Sequence, residues 1–279
     1  MLSLNDAIPG GAGRVDGWRS VPIAEHNEPL VAIGSGTHYD ELVTSAVYAG
    51  EHLHSPYRDD NVIDSAHPTI YVRASVAERL LKAQSLLPHD LRLIIFDGYR
   101  STQVQQALYD QFINELRSLK PDWNDVQLQD ETERYVSRPS VDAAQPSPHS
   151  TGGAVDVAII RNGLMIEFGT PFDHGSVRSA LRYFEDDKHV ANDADILARD
   201  NRRLLYYVMH EAGFEGFEHE WWHYNAPETQ MGTKASGGRV ASFGNATLLL
   251  PQHSATQPKK PSLHSTEPSA LIDRIAPGN

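Results

Sequence analysis

Three short stretches of this 279-residue chain carry side chains that could do chemistry together. They read DGYRS at 97–101, SPHSTGGAVDVAI at 147–159 and EHEWWHYN at 218–225. The chain has no cysteine. Disulfides, thiolate metal sites and cysteine nucleophiles are therefore excluded, and any metal must be held by His, Asp or Glu. A catalytic zinc needs three protein ligands and an open position, with a base, commonly Glu, beside the attacking water. His149, Asp156 and His223 supply such a His2Asp set, and Glu220 supplies the base.

Spacing alone does not make this set unique. Asp156 lies in the apolar run AVDVAII, on the face shared by Ala154 and Ala158, whose small side chains leave room for an ion. An Asp there is expensive unless paired or metal-bound. The bland alternative is a buried Asp accepting backbone hydrogen bonds at a sheet edge. Downstream, a flat strand would point Glu220 and His223 to opposite faces and put His219 beside His223. A bend at Trp221-Trp222 would bring Glu220 and His223 together, whereas a flat strand makes His219 the better ligand. Both remain open at this level. Taken alone, Arg100 after Asp97 reads as an ion pair before it reads as a catalytic group, and Asp173 as an ordinary turn residue. Trp221 and Trp222 read as core and pocket wall, and His52, His54 and His67 as surface or loop residues.

The elements that must position these groups are patterned most clearly from Thr69 onward. TIYVR reads as a strand. Ser75 with Glu78 forms a capping-box pattern ahead of a helix with apolar Val76, Leu80, Leu81 and Leu87, stopped by Pro88. LRLIIF is a buried strand, and Ser101 can cap a helix running to Pro121. Residues 121–148 hold four prolines and a short helical piece near ETERYVS, a long excursion of the kind that forms lids. AVDVAII is a strand, and Asn162-Gly163 marks a hairpin turn. A further helix covers DADILARDNRRLLYYVMHEAG and ends at Gly213. Val21 to Ile33 allows one short strand at most, and 38–64 reads as loops and short helix packed over a site. This order predicts an α+β fold with a mostly antiparallel central sheet flanked by helices. One domain is expected over 21–247, with an irregular segment at 1–20. The Pro-, Ser- and Thr-rich stretch 248–279 is expected to be a disordered tail.

Composition bounds the rest. The net charge of −13 argues against nucleic acid or an anionic membrane as the main partner. No apolar run reaches membrane-spanning length, and the first residues lack a signal-peptide pattern, so a cytoplasmic location is expected. The fourteen histidines are too many for one site, and oligomeric state is unreadable.

The pattern S-x-H-x-x-G-x-A-x-D, present as Ser147, His149, Gly152, Ala154 and Asp156 and followed by E-W-W-H, resembles the VanX-type D-alanyl-D-alanine dipeptidases of the zinc D-Ala-D-Ala peptidase superfamily. DGYR at 97–100 and Phe172-Asp173 match in the same order, and the resemblance spans roughly Thr69 to Asn225. It implies one zinc in a cleft on the sheet, held by His149, Asp156 and His223, with Glu220 as general base and Arg100 stabilising the oxyanion. Asp173 would hold the substrate's free amino group, and Ser147 would help to bind a small dipeptide. Alternatives on the same centre are a D,D-carboxypeptidase or endopeptidase, or a zinc-binding protein without catalysis. The family carries a substrate-contacting tyrosine near its start, and here Tyr39 and Tyr48 both qualify. The stretch 174–195 is longer and more acidic than the family pattern.

Overall fold

The structure, a computed structural model, describes residues 6–51 and 62–248. His52, His54 and the tail from 249 lie outside the described residues. In chain order the elements are β1 (Leu30–Ile33), β2 (Val43–Thr44), β3 (Ile70–Arg73), α1 (Ala74–Leu86), β4 (Leu91–Asp97), α2 (Thr102–Leu119) and α3 (Asp125–Thr132). There follow β5 (Ala154–Arg161), β6 (Leu164–Met165), α4 (Asp193–Glu211), β7 (Glu215–Phe217), β8 (Glu220–Asn225) and α5 (Gln230–Ala235).

The α+β class holds. Among the described residues the main sheet has six strands, in the order β2-β4-β5-β8-β7, with β6 paired to β5. Its ladders are antiparallel except β2 on β4, which is parallel, so the sheet is mixed at that edge. A separate two-stranded antiparallel sheet joins β1 to β3. Strand β5 runs through the middle and is buried along both faces from Ala154 to Ile160. That explains its continuous apolar run: a strand covered on both sides has no solvent face to make polar.

The helices form where the periodicity predicts, with two local differences. Ser75 does not cap α1: the helix begins at Ala74, and the Glu28 carboxylate accepts from the Ser75 backbone N–H at 2.5 Å. A carboxylate from outside the helix thus satisfies a first-turn donor. The short helix of the 121–148 excursion also starts earlier than ETERYVS. Asn124 and Gln127 close a reciprocal capping box at its head, so the helix spans Asp125–Thr132. Ser101 does cap α2, accepting from the Val104 N–H. Gly213, at φ +95°, ends α4 with Phe214 N–H donating to Met209 O and Gly213 N–H to His210 O. That is the paired-bond glycine termination of a helix, which an L side chain resists. No helix among the described residues is long and apolar enough to cross a membrane.

Candidate active site

Two irregularities in the sheet place the chemical groups. The β4–β5 register slips between Ile95 and Asp97, so that Asp97 becomes the Cα partner of Asp156. A second slip lies between Gly216 and Phe217 on β7, where Phe217 pairs with Glu220 while Gly216 pairs with Tyr224. The residues between Glu220 and Tyr224 therefore depart from flat strand geometry, and Glu220 Oε2 comes within 3.9 Å of His223 Nδ1. Trp221 points into the core, stacked on Phe168 at 4.2 Å and donating to Thr170, whereas Trp222 walls a cavity. His219 is half exposed beside Glu218, away from the cavity lining.

His149 arrives on a short 3-10 turn, His149–Thr151, that leads through Gly152 into β5. Gly152 has φ +70°, and a Cβ there would meet the Leu30 side chain at 2.4 Å, so glycine is required. His149, Asp156 and His223 are all buried and form a group able to hold a metal ion. His149 Nε2 lies 3.1 Å from His223 Nδ1, which lies 3.1 Å from Asp156 Oδ1, and the third edge is 3.4 Å. Tetrahedral zinc with ordinary bond lengths sets its ligand atoms about 3.3 Å apart.

The protons fit as well. His149 Nδ1 donates to the Gly98 carbonyl at 2.8 Å, and His223 Nε2 faces Asn225 Oδ1 at 3.4 Å. Each ring thereby places a lone pair at the common point, beside a carboxylate oxygen. Three such acceptors at this spacing suit a bound cation, and the outer hydrogen bonds favour the tautomers that this requires.

The same cavity is walled by Arg100, Asp173, Glu220 and Tyr48. Arg100 is buried, with Nε and Nη2 donating to Asp97 Oδ2 at 2.8 and 2.7 Å and Nη1 donating to Gln105 Oε1 at 2.9 Å. Its Nη2 also lies 3.6 Å from Asp156 Oδ2. Burial works against its charge, but Asp97, Tyr48 and Asp156 outweigh that and raise its pKa. Burial pushes the Glu220 carboxyl well above the usual carboxylate range, helped by Asp156 and Asp173 and opposed by Arg100. Burial works to raise Asp156 too, yet His149 and His223 hold it below that range. The imidazole of His223 is lowered, first by burial.

Asp173 adopts a left-handed backbone, φ 57°, in the loop after β6. Asp tolerates that region better than most residues, and strained positions of this kind gather at functional sites. The loop is held from behind by Arg202 of α4, whose guanidinium donates to the carbonyls of Phe168, Ala180 and Arg178 at 2.7–2.9 Å. The two tyrosines are placed differently. Tyr39 donates to Glu78, while the Tyr48 ring lies under the Arg100 guanidinium at 5.0 Å on the cavity wall. Ser147 is buried but does not line the cavity. Gln105 was missed from sequence. Its amide also donates to the Ser137 carbonyl at 2.7 Å, a pairing between distant segments that no local pattern announces.

A His2Asp group with a buried carboxylate and a guanidinium beside it is the equipment of a metallopeptidase. The chain belongs to the D-ala-D-ala dipeptidase family, which matches residues 42–238. It is similar to a D-alanyl-D-alanine dipeptidase of Enterococcus faecium, 32% identical over 152 residues, covering 53% of this chain and 69% of that one. It is also similar to one of a Synechocystis species, 26% identical over 230 residues, covering 75% and 85%. A third, from Escherichia coli, is 30% identical over 139 residues, covering 50% and 56%.

Proposed function

We propose that this protein hydrolyses D-alanyl-D-alanine or a closely similar small dipeptide, with one zinc ion held by His149, Asp156 and His223. The observation that carries the reading is the convergence of those three ligand atoms, at 3.1–3.4 Å, in a cavity that also holds Glu220, Arg100 and Asp173. When bound, zinc supplies Lewis-acid polarisation of the scissile carbonyl and makes water acidic enough to attack near neutral pH.

The chain's own groups divide the remaining work. Glu220 takes the proton of the attacking water and returns it to the leaving amine. Burial raises the Glu220 carboxyl above the usual carboxylate range, which suits a group that must both take up a proton and deliver it. Arg100 faces the oxyanion of the tetrahedral intermediate with a charge that Asp97 and Gln105 keep from swinging away. Asp173 receives the substrate's ammonium. Tyr48 closes the wall behind Arg100. Ser147 is retained as a proposed substrate contact, which Ser147→Ala would test through KM.

The test is a zinc-dependent hydrolysis panel over D-Ala-D-Ala, mixed-chirality dipeptides, L-Ala-L-Ala and a pentapeptide ending in D-Ala-D-Ala. Metal analysis of His149→Ala and His223→Ala accompanies it, with His219→Ala as the control that retains zinc. Full zinc occupancy in either ligand variant, or no metal-dependent cleavage of any dipeptide, would overturn the reading.

A further inference from the structure

A free dipeptide carries a carboxylate at one end, and the cavity walls are hostile to it. Glu133, Asp156, Asp173 and Glu220 all line the space. Among the described residues that wall it, only two carry guanidinium groups, Arg100 and Arg134, and none is a lysine. Arg100 is already assigned to the oxyanion, and its nitrogens are held by Asp97 and Gln105 with Asp156 close by, so it is not free to move to the far end of a dipeptide.

Arg134 is placed differently. It lies just past α3, in the turn where Tyr135 and Val136 N–H groups donate to the Thr132 carbonyl. The backbone of that turn is anchored. Leu128 and Tyr135 pack with Tyr109, Phe112 and Leu116 of α2, and the Tyr135 ring sits 5.6 Å from that of Phe112. The Arg134 side chain, by contrast, is 69% exposed and makes one ion pair, to Glu131 three residues earlier at 3.2 Å. An exposed pair of that kind contributes little and is readily exchanged for another carboxylate. A long cation on a fixed turn at the cavity wall, with a weak partner, can reach a carboxylate that the acidic groups around it would repel.

We propose that Arg134 is a specificity-determining residue that recognises the C-terminal carboxylate of the substrate, completing a clamp whose other end is Asp173 at the ammonium. This rests on the dipeptidase reading and extends it. The 121–148 excursion then contributes selectivity as well as cover: it brings the charge that favours a free C-terminus over a blocked or continuing one. Arginine suits the role because its planar fork matches a carboxylate with two parallel hydrogen bonds.

The test compares zinc-loaded protein on D-Ala-D-Ala and on D-Ala-D-Ala amide, which lacks the carboxylate, in the unaltered chain and in Arg134→Gln. Arg134→Lys tests partial rescue, and Arg117→Gln, an exposed arginine of α2, is the control. The ratio of kcat/KM for acid over amide should fall about 10- to 100-fold in Arg134→Gln, the worth of one charge-assisted contact, mainly through KM. Arg134→Lys should restore part of it, and Arg117→Gln should leave it in place. An unchanged ratio in Arg134→Gln, with the unaltered protein cleaving the dipeptide, would overturn this assignment alone. No cleavage by the unaltered protein would overturn it together with the dipeptidase reading.

Discussion

Asp97 and Asp156 are partners across the β4–β5 ladder, and the Arg100 guanidinium lies between them, 2.7 Å from one carboxylate and 3.6 Å from the other. The bulge that creates this pairing gives Arg100 a firm seat on Asp97 and keeps Asp156 within reach of both imidazoles. Arg100→Lys should therefore lower turnover by about a hundredfold or more, because a point charge cannot serve Asp97, Gln105 and a developing oxyanion at once. Steady-state kinetics beside ground-state dipeptide binding will separate the effects. Equal losses in both would mark Arg100 as a binding or structural residue.

Glu220→Gln should keep zinc and lose roughly two to four orders of magnitude in kcat, the usual span for a general acid–base group. Metal content and turnover measured on the same preparation make the check. A near-normal rate would assign the proton transfer elsewhere.

Chain-length selectivity follows from Asp173. An N-acetylated dipeptide brings no ammonium to Asp173 and adds bulk, so it forgoes that charge pairing, at a cost of about 2–5 kcal/mol. The free dipeptide should be cleaved far faster than its N-acetyl form or a pentapeptide ending in D-Ala-D-Ala. Asp173→Asn is the informative variant, since Asn also tolerates the left-handed backbone at φ 57° and removes only the charge. It should narrow the gap by slowing the free dipeptide most. Comparable rates on dipeptide and pentapeptide in the unaltered protein would favour a carboxypeptidase.

Stability should carry a pH signature at β7. Burial raises the Glu215 carboxyl above its ordinary value of 4.5, with His210 opposing. The folded state thus binds this proton more tightly than the unfolded chain. The resulting cost is absent below pH 4.5 and grows as pH rises through the folded pKa. Glu215→Gln should raise Tm at pH 7 by about 1–3 °C for a domain of this size and change it little at pH 4. Equal shifts at both values would point to packing instead of charge.

What was legible from the sequence was local. β4, β5, α2 and α4 declare themselves by periodicity and by end signals such as Ser101 and Gly213. The metal group was reachable because ligand chemistry and a short motif both name His149, Asp156 and His223. Periodicity alone left His219 and His223 open, since the strand geometry there turns on a register slip opposite Gly216 that no residue type signals. Glu28 at the head of α1 is 47 positions from the N–H it receives. Tyr48 and Tyr39 are equivalent by composition, and only the fold sends one to Arg100 and the other to Glu78. The parallel seating of β2 on β4 is likewise a long-range outcome.

The glycine at position 13 bears on where this protein can be cut. Its carbonyl accepts from Glu218 N–H at 3.1 Å, and a Cβ there would stand 2.5 Å from that nitrogen. Val15 and Trp18 continue the contact by packing on Met231 and Phe217, both of which face the cavity from its other side. The span that matches the family begins only at residue 42. Boundaries drawn by similarity would thus remove the brace behind the β7–β8 corner and leave an oily scar under the residues that must hold Glu220 and His223 in register.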